Sequence, residues 1–345
     1  MHLPLKARPS TCLSRLRGGG RLCLTLFACV WLAGCGGGDE RVDAAKPTDA
    51  DDRQYRIVGT VGMVADLVKR VAGERAEVQS LMDSGIDPHL YKPTRSDIAR
   101  IASADVVFYN GLLLEGKMID ALTRAAEAGK KVYPVAELID PQRLLQPDEF
   151  DGHPDPHVWM DPSAWAATVE VIRDKLIEHD PTGESVYRAN AEQLSEQIMR
   201  LDAYAEGALQ SVPPRQRVLV TAHDAFNYFG RRYGYEVVGI QGLSTESEAG
   251  VQDIERIVGL LVDRQIPAVF VESTVSQRNI QALINGARAR GHGVTIGGEL
   301  FSDAMGKPGS YEGTYLGMID RNVTTVARAL GGDAPAGGMQ GKLSE

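Results

Sequence analysis

The sequence predicts an α/β fold of two lobes, each a parallel sheet of about four strands flanked by helices, joined by one long backbone helix. Three observations carry this expectation. Short β-rich runs alternate with helical spacings of roughly 10–15 residues, the pattern of parallel strands with helical crossovers. Two such series are separated by an unusually long helical stretch. Polar residues with ligand chemistry stand just past several of the strands, where parallel sheets collect binding groups.

The first lobe, over 55–180, opens on the strand Arg56-Ile57-Val58-Gly59-Thr60. A helix carrying Val64, Leu67, Val68 and Val71 follows and stops at Gly73. Glu77 to Met82 reads as a second strand, and a loop over Asp83 to Pro93 leads to a helix opened by Thr94 or Ser96. Asp105 to Asn110 is a third strand, Leu114 to Ala128 a helix stopped by Gly129, and Lys131 to Val135 a fourth strand. The second lobe, over 213–331, repeats the pattern. Its strands are Arg217–Thr221, Glu236–Ile240, Pro267–Glu272 and Gly293–Ile296, and its helices are Ala225–Tyr233, Val251–Arg264, Gln277–Arg290 and Tyr311–Leu330. Beyond Gly331 the segment 332–345 is rich in Gly, Ala and Pro and is expected to be disordered.

Between the lobes, Asp180-Pro181 offers an N-cap with proline at the first helical position. Val186, Leu194, Ile198, Leu201, Ala205 and Leu209 then recur at helical spacing over 181–212, and Pro213-Pro214 ends the run. Some thirty residues at about 1.5 Å each make a rod of ~45 Å, long enough to pack on both lobes.

Residues 1–35 stand apart from the fold. Lys6, Arg8, Arg15, Arg17 and Arg21 precede the short apolar run Leu22 to Ala33, too short for a membrane span, so the segment reads as a secretory signal. All four cysteines lie in it, which leaves the remainder without disulfides or thiolate ligands, so any metal ligand must be His, Asp or Glu. Without this segment the 37 basic residues fall by five to 32, against 46 acidic ones, a net −14. That balance argues against a nucleic-acid partner and suits capture of cations. Residues 36–54, with Gly36-Gly37-Gly38 and several Asp, read as a flexible tether.

Six histidines lie past the signal segment: His89, His153, His157, His179, His223 and His292. His157 sits in Asp155-Pro156-His157-Val158-Trp159-Met160-Asp161-Pro162, where two prolines stiffen the backbone. His89 follows the second strand, His157 the fourth, and His223 the first strand of the second lobe; Asp303 follows that lobe's last strand. Three neutral imidazoles and one carboxylate make an N₃O shell for a divalent ion. His179 reads as a surface residue and His292 as a turn residue. His153, in an acidic loop four residues before His157, is a possible recruiting group.

Several of these motifs together resemble one family. Asp-Pro-His89, His157-Val-Trp-Met-Asp-Pro, Thr-Ala-His223-Asp-Ala-Phe-Asn-Tyr-Phe, Gln241-Gly-Leu-Ser-Thr-Glu-Ser-Glu248 and Leu-Phe-Ser-Asp303 are similar, in order, to those of the TroA-like zinc and manganese lipoproteins, the solute-binding proteins of ABC importers. The resemblance spans roughly 55–331. It implies an ion held between two lobes by His89, His157, His223 and Asp303, with Zn²⁺ or Mn²⁺ as cargo and an ABC permease and its ATPase as partners. Leu32-Ala33-Gly34-Cys35 resembles the bacterial lipoprotein cleavage motif, which implies lipidation of Cys35 and a monomer tethered in the periplasm or at the cell surface. Many manganese-specific members carry glutamate where this chain has His223, and many zinc-specific ones carry a long His-rich loop where Gln146 to Pro156 is short.

Two rival readings are a zinc hydrolase and a surface adhesin with a structural metal. Catalytic zinc keeps an open position for water beside a general base. Four protein ligands would close the shell, and the sequence has no H-E-x-x-H run, although Glu246, Glu248 and Glu272 are conceivable bases. Release of the ion is expected through small tilts of the lobes and movement of the His89 and Asp303 loops, because the long helix opposes a wide hinge.

Overall fold

The computed structural model describes residues 54–150 and 152–343. The signal segment with Cys35, and the tether through residue 53, lie outside the described residues. Among the described residues no helix is long and apolar enough to cross a membrane.

In the first lobe β1 (Tyr55–Gly59), α1 (Gly62–Ala72), β2 (Ala76–Ser80), α2 (Arg95–Ser103), β3 (Val106–Tyr109), α3 (Ile119–Glu127) and β4 (Lys131–Pro134) follow one another. The four strands are parallel, in the order β2-β1-β3-β4. β1 therefore has its successors on opposite sides, and a crevice opens at the carboxyl ends of the strands. Thr94 starts α2 by a capping box with Asp97. Ile57, Val106, Val107 and Phe108 are fully buried together with Met63, Val64, Leu67 and Val68 of α1.

Two helices follow, of which the second connects the lobes. The first, α4 (Pro162–His179), is expected from the sequence only in its end at His179, while Asp161-Pro162 reads there as a stiff segment. Asp161 is its N-cap, accepting from the N–H groups of Ser163 (3.0 Å) and Ala164 (3.2 Å), with Pro162 at the first helical position. The second, α5 (Glu184–Gln210), is 27 residues long, about 40 Å, and runs unbroken through Gly207. It starts later than expected, because Pro181–Gly183 forms a single 3₁₀ turn. Asp180 does not cap it. Its carboxylate instead accepts from Arg75 (2.7 Å), Thr182 (2.6 Å) and Tyr187 (2.5 Å). Tyr187 fixes the phase of the buried face, which leaves Val186 39% exposed, contrary to expectation. α5 packs against α1 and α4 of the first lobe and α9 of the second.

The second lobe contains β5 (Val218–His223), α6 (Asn227–Tyr233), β6 (Glu236–Gln241), α7 (Val251–Arg264), β7 (Ala268–Glu272), α8 (Arg278–Ala289), β8 (Thr295–Leu300) and α9 (Tyr315–Ala329). Its strands pair in parallel as β5–β6 and β7–β8, and β5 lies beside β7. The two pairs are separate two-stranded sheets set side by side rather than the single four-stranded sheet expected, and their spatial order β6-β5-β7-β8 repeats that of the first lobe. α6 stops at Gly234, whose φ of 75° is the left-handed conformation that glycine adopts without steric cost.

One continuous core runs through both lobes, from Ile57 and Phe108 through Trp159 and Trp165 to Phe270, Leu300 and Tyr315. A second cluster fills the outer side of the second lobe, where Val220, Val269 and Val271 meet Ile257, Leu261 and Leu283. The segment 332–343, expected to be disordered, packs on α9 instead. Asp320 accepts the Met339 N–H at both oxygens (2.9 and 3.0 Å), Arg328 donates to the Ala334 carbonyl (3.1 Å), and Ala334 and Leu343 are buried. The glycines that suggested disorder supply tight turns, Gly338 at φ 72° and Gly341 at φ 67°.

Candidate metal centre

Three loops and the last residue of β5 bring His89, His157, Asp303 and His223 together at the carboxyl ends of strands, each 3% exposed or less. Their donor atoms all lie within 4.8 Å of one another. His89 Nε2 stands 3.4 Å from His157 Nε2 and 3.7 Å from Asp303 Oδ2. His157 Nε2 is 3.4 Å from Asp303 Oδ1, and His223 Nε2 is 3.2 Å from Asp303 Oδ2. Ligands at ~2.0–2.1 Å around a tetrahedral ion are about 3.3 Å apart, so these separations suit one cation. His223 Nε2 and both Asp303 oxygens are buried and make no hydrogen bond among the described residues. Unsatisfied buried groups of this kind are costly unless they face an ion.

Each candidate ligand is placed by local chemistry. In Asp87-Pro88-His89 the Asp87 Oδ1 accepts the main-chain N–H of His89 at 2.9 Å. Asp155-Pro156-His157 repeats the device: Asp155 Oδ1 accepts the His157 N–H at 2.9 Å and also its Nδ1–H at 2.7 Å. A side-chain oxygen that bonds two residues ahead is the usual Asx turn, and proline between them holds the turn open. His157 then leads into a 3₁₀ turn, Val158–Met160. His223 is the last residue of β5, and Glu272, the last residue of β7, holds it from the neighbouring strand. Glu272 Oε1 accepts the His223 N–H at 2.8 Å and Oε2 its Nδ1–H at 2.5 Å. Asp303 follows β8 by three residues. Phe301 before it is clamped by Asn322, whose amide donates to the Phe301 carbonyl (2.7 Å) and accepts its N–H (2.9 Å).

The model of the family described as zinc-uptake complex component A, periplasmic (ZnuA), matches residues 57–329. The chain belongs to this family. The manganese-binding lipoprotein MntA of Bacillus subtilis (strain 168) is 43% identical over 311 residues, covering 90% of this chain and 99% of the relative. The zinc-binding protein TroA of Treponema pallidum (strain Nichols) is 40% identical over 305 residues, covering 88% and 98%. Among solved structures, the periplasmic zinc-binding protein TroA from Treponema pallidum matches with a TM-score of 0.78 at 41% identity, covering 81% of this chain and 99% of that one.

In this ZnuA-family chain the residues that hold the candidate ligands are not marked as such in the sequence. Glu272 appeared there only as a conceivable base, and Asp155 only as a residue before proline. The repeated Asp-Pro-His was the available signal for Asp87 and Asp155. Nothing local marks Glu272, which is 49 positions from its partner. Trp159 is a further case. It is fully buried edge-on to His157, with ring centroids 5.3 Å apart, and its Nε1–H donates to the Ser302 carbonyl at 2.9 Å. One indole thus joins the segment of His157 to that of Asp303 across the lobes.

The other histidines lie outside the cluster. His153 is exposed, its ring edge-on to Phe150. His179 is half-buried rather than on the surface, since its Nδ1 faces Lys131 Nζ at 3.0 Å and its ring packs on Tyr55. His292 donates from Nε2 to the Ile266 carbonyl at 2.8 Å.

Charge is distributed unevenly over the four. Burial lowers His89 to about 3, despite the nearby Asp303. Burial also opposes protonation of His157, yet the Asp155 carboxylate outweighs it and raises the imidazole to about 9. His223 is likewise buried, and Glu272 and Asp303 lift it well above its ordinary value. Asp303 is held well below the carboxylate range, burial being overcome by His223 and His157. The raised pKa values of His157 and His223 favour protonated imidazoles beside the ionised Asp303, so a cation bound at these nitrogens would compete with protons.

Proposed function

We propose that this ZnuA-family chain is the extracytoplasmic solute-binding component of an ABC importer. It captures Zn²⁺ or Mn²⁺ between the lobes and hands the ion to a membrane permease driven by its ATPase. The observation that carries the reading is the convergence of three imidazole Nε2 atoms on one buried, unsatisfied carboxylate. His89, His157, His223 and Asp303 are the ligands. Three nitrogens and one oxygen favour Zn²⁺, because Mn²⁺ stands lowest in the divalent order. A carboxylate binding through both oxygens raises the coordination number and admits Mn²⁺, so availability decides between them. The names of the relatives, manganese-binding for MntA and zinc-binding for TroA, support both ions.

The donors themselves support a binding role without catalysis. Four protein ligands leave a tetrahedral ion no position for an attacking water. Of the conceivable bases, Glu272 holds His223 with both oxygens, and Glu246 pairs with Lys117 at 3.0 Å. Lipidation at Cys35, in the segment outside the described residues, would keep the monomer on the outer face of the membrane near its permease.

The test is competition titration of metal-stripped protein with Zn²⁺ and Mn²⁺, with elemental analysis after dialysis. One ion per chain is expected, with Zn²⁺ displacing Mn²⁺. Retention of neither would sink the reading.

A further inference from the structure

We propose that Thr245 is a positioning residue for His89 that sets how fast the bound cation leaves. The inference rests on the reading of the four cluster residues as metal ligands. Thr245 lies in the loop between β6 and α7, in the second lobe, and is 8% exposed. Its Oγ1 donates to Asp87 Oδ2 at 2.6 Å, across the crevice in the first lobe. The other oxygen of the same carboxylate accepts the His89 N–H at 2.9 Å and the Leu90 N–H at 3.4 Å. A single carboxylate therefore ties a hydroxyl of one lobe to the ligand loop of the other.

His89 depends on this tie more than the other imidazoles would. The rings of His157 and His223 are each held by a carboxylate at Nδ1, Asp155 and Glu272. Among the described residues no carboxylate holds Nδ1 of His89, whose place is set through its backbone by Asp87. His89 is thus the imidazole with the most freedom to leave, and Thr245 restrains the loop that carries it. A hydrogen bond to a charged acceptor that is shielded from water is among the stronger ones. The pair Lys117–Glu246 crosses the same seam at 3.0 Å, but its side chains are 39% and 52% exposed. Solvent screens it, and it contributes little.

Zinc-loaded wild type, Thr245→Val, Thr245→Ser and Lys117→Ala are mixed with excess EDTA in a stopped-flow instrument, and release is followed with a zinc indicator. Thr245→Val keeps the shape of threonine without its hydroxyl, and is expected to release zinc about tenfold faster or more. Its association rate should stay within about twofold of wild type. Thr245→Ser restores the donor and should restore the slow rate, and Lys117→Ala should lie within about threefold of wild type. Release from Thr245→Val at the wild-type rate, or from Thr245→Ser as fast as from Thr245→Val, overturns the role of Thr245. Equal zinc content and far-ultraviolet dichroism of the two threonine variants exclude misfolding as the cause of any difference. A wild type that retains no zinc overturns the ligand reading itself, a separate result.

Discussion

Both oxygens of the Glu272 carboxylate hold His223: Oε1 takes its main-chain N–H at 2.8 Å and Oε2 its imidazole Nδ1–H at 2.5 Å. The main-chain bond fixes where β5 ends, and the ring bond turns Nε2 toward Asp303. A group that fixes both tautomer and orientation of a ligand is part of the site although it never touches the ion.

Glu272→Gln is therefore expected to weaken Zn²⁺ affinity by about 10–100-fold while leaving one ion per chain at saturation. Asp155→Asn should act similarly through His157. His223→Ala should instead abolish retention after dialysis. Chelator competition reads the affinity and elemental analysis the stoichiometry; a Glu272→Gln protein with wild-type affinity would show that the carboxylate is only structural.

Metal uptake should release protons. Imidazoles with raised pKa values, His157 at about 9 and His223 well above its ordinary value, carry protons at pH 7 and must lose them to bind an ion. Affinity accordingly rises as pH increases from 7 toward 9, and the dependence on His157 fades above 9, where that proton is already gone. Asp303 is ionised throughout this window, since its pKa is lowered. Calorimetric titration with Zn²⁺ in buffers of different ionisation enthalpy should show close to two protons released at pH 7. Release of none would contradict the charge distribution described above.

Trp159 should report on the ion and stabilise the fold. The sequence has three tryptophans, and Trp159 and Trp165 are the two past the signal segment. In Trp165→Phe the emission of Trp159, edge-on to His157, should change on adding Zn²⁺. Trp159→Phe leaves the Ser302 carbonyl without its donor and opens space in the core, a loss of about 2–4 kcal/mol by denaturant unfolding.

Ion binding should change the overall dimensions little. α5 packs on α1, α4 and α9, and one core is continuous through both lobes, so a wide hinge opening would expose it. Small-angle scattering of loaded and stripped protein should give radii of gyration within about 1 Å of each other. A larger change would mean that the helix does not restrain the lobes.

Local signals explain why some elements were legible and others were not. Thr94, one of two caps offered along with Ser96, announced α2, and Gly234 the end of α6, because caps act within a few residues. The two Asp-Pro pairs show the limit of such signals. Asp161-Pro162 begins a helix, whereas Asp180-Pro181 carries the same letters and turns its carboxylate to Arg75 and Tyr187. Which aspartate caps depends on partners over 100 positions away in the case of Arg75.

The sequence by itself determined the alternation of strands and helices, the long connecting helix, and the four side chains at strand ends that the structure brings within 4.8 Å. Each of these depends on periodicity, or on residue type at a strand end, and both are local. Only the tertiary structure decided what holds those side chains. Glu272 beside His223, Trp159 beneath Ser302 and Thr245 against Asp87 join segments 49, 143 and 158 positions apart. Hydrogen bonds of that span exist only once the sheets have set their strands side by side and the crevice has closed on them.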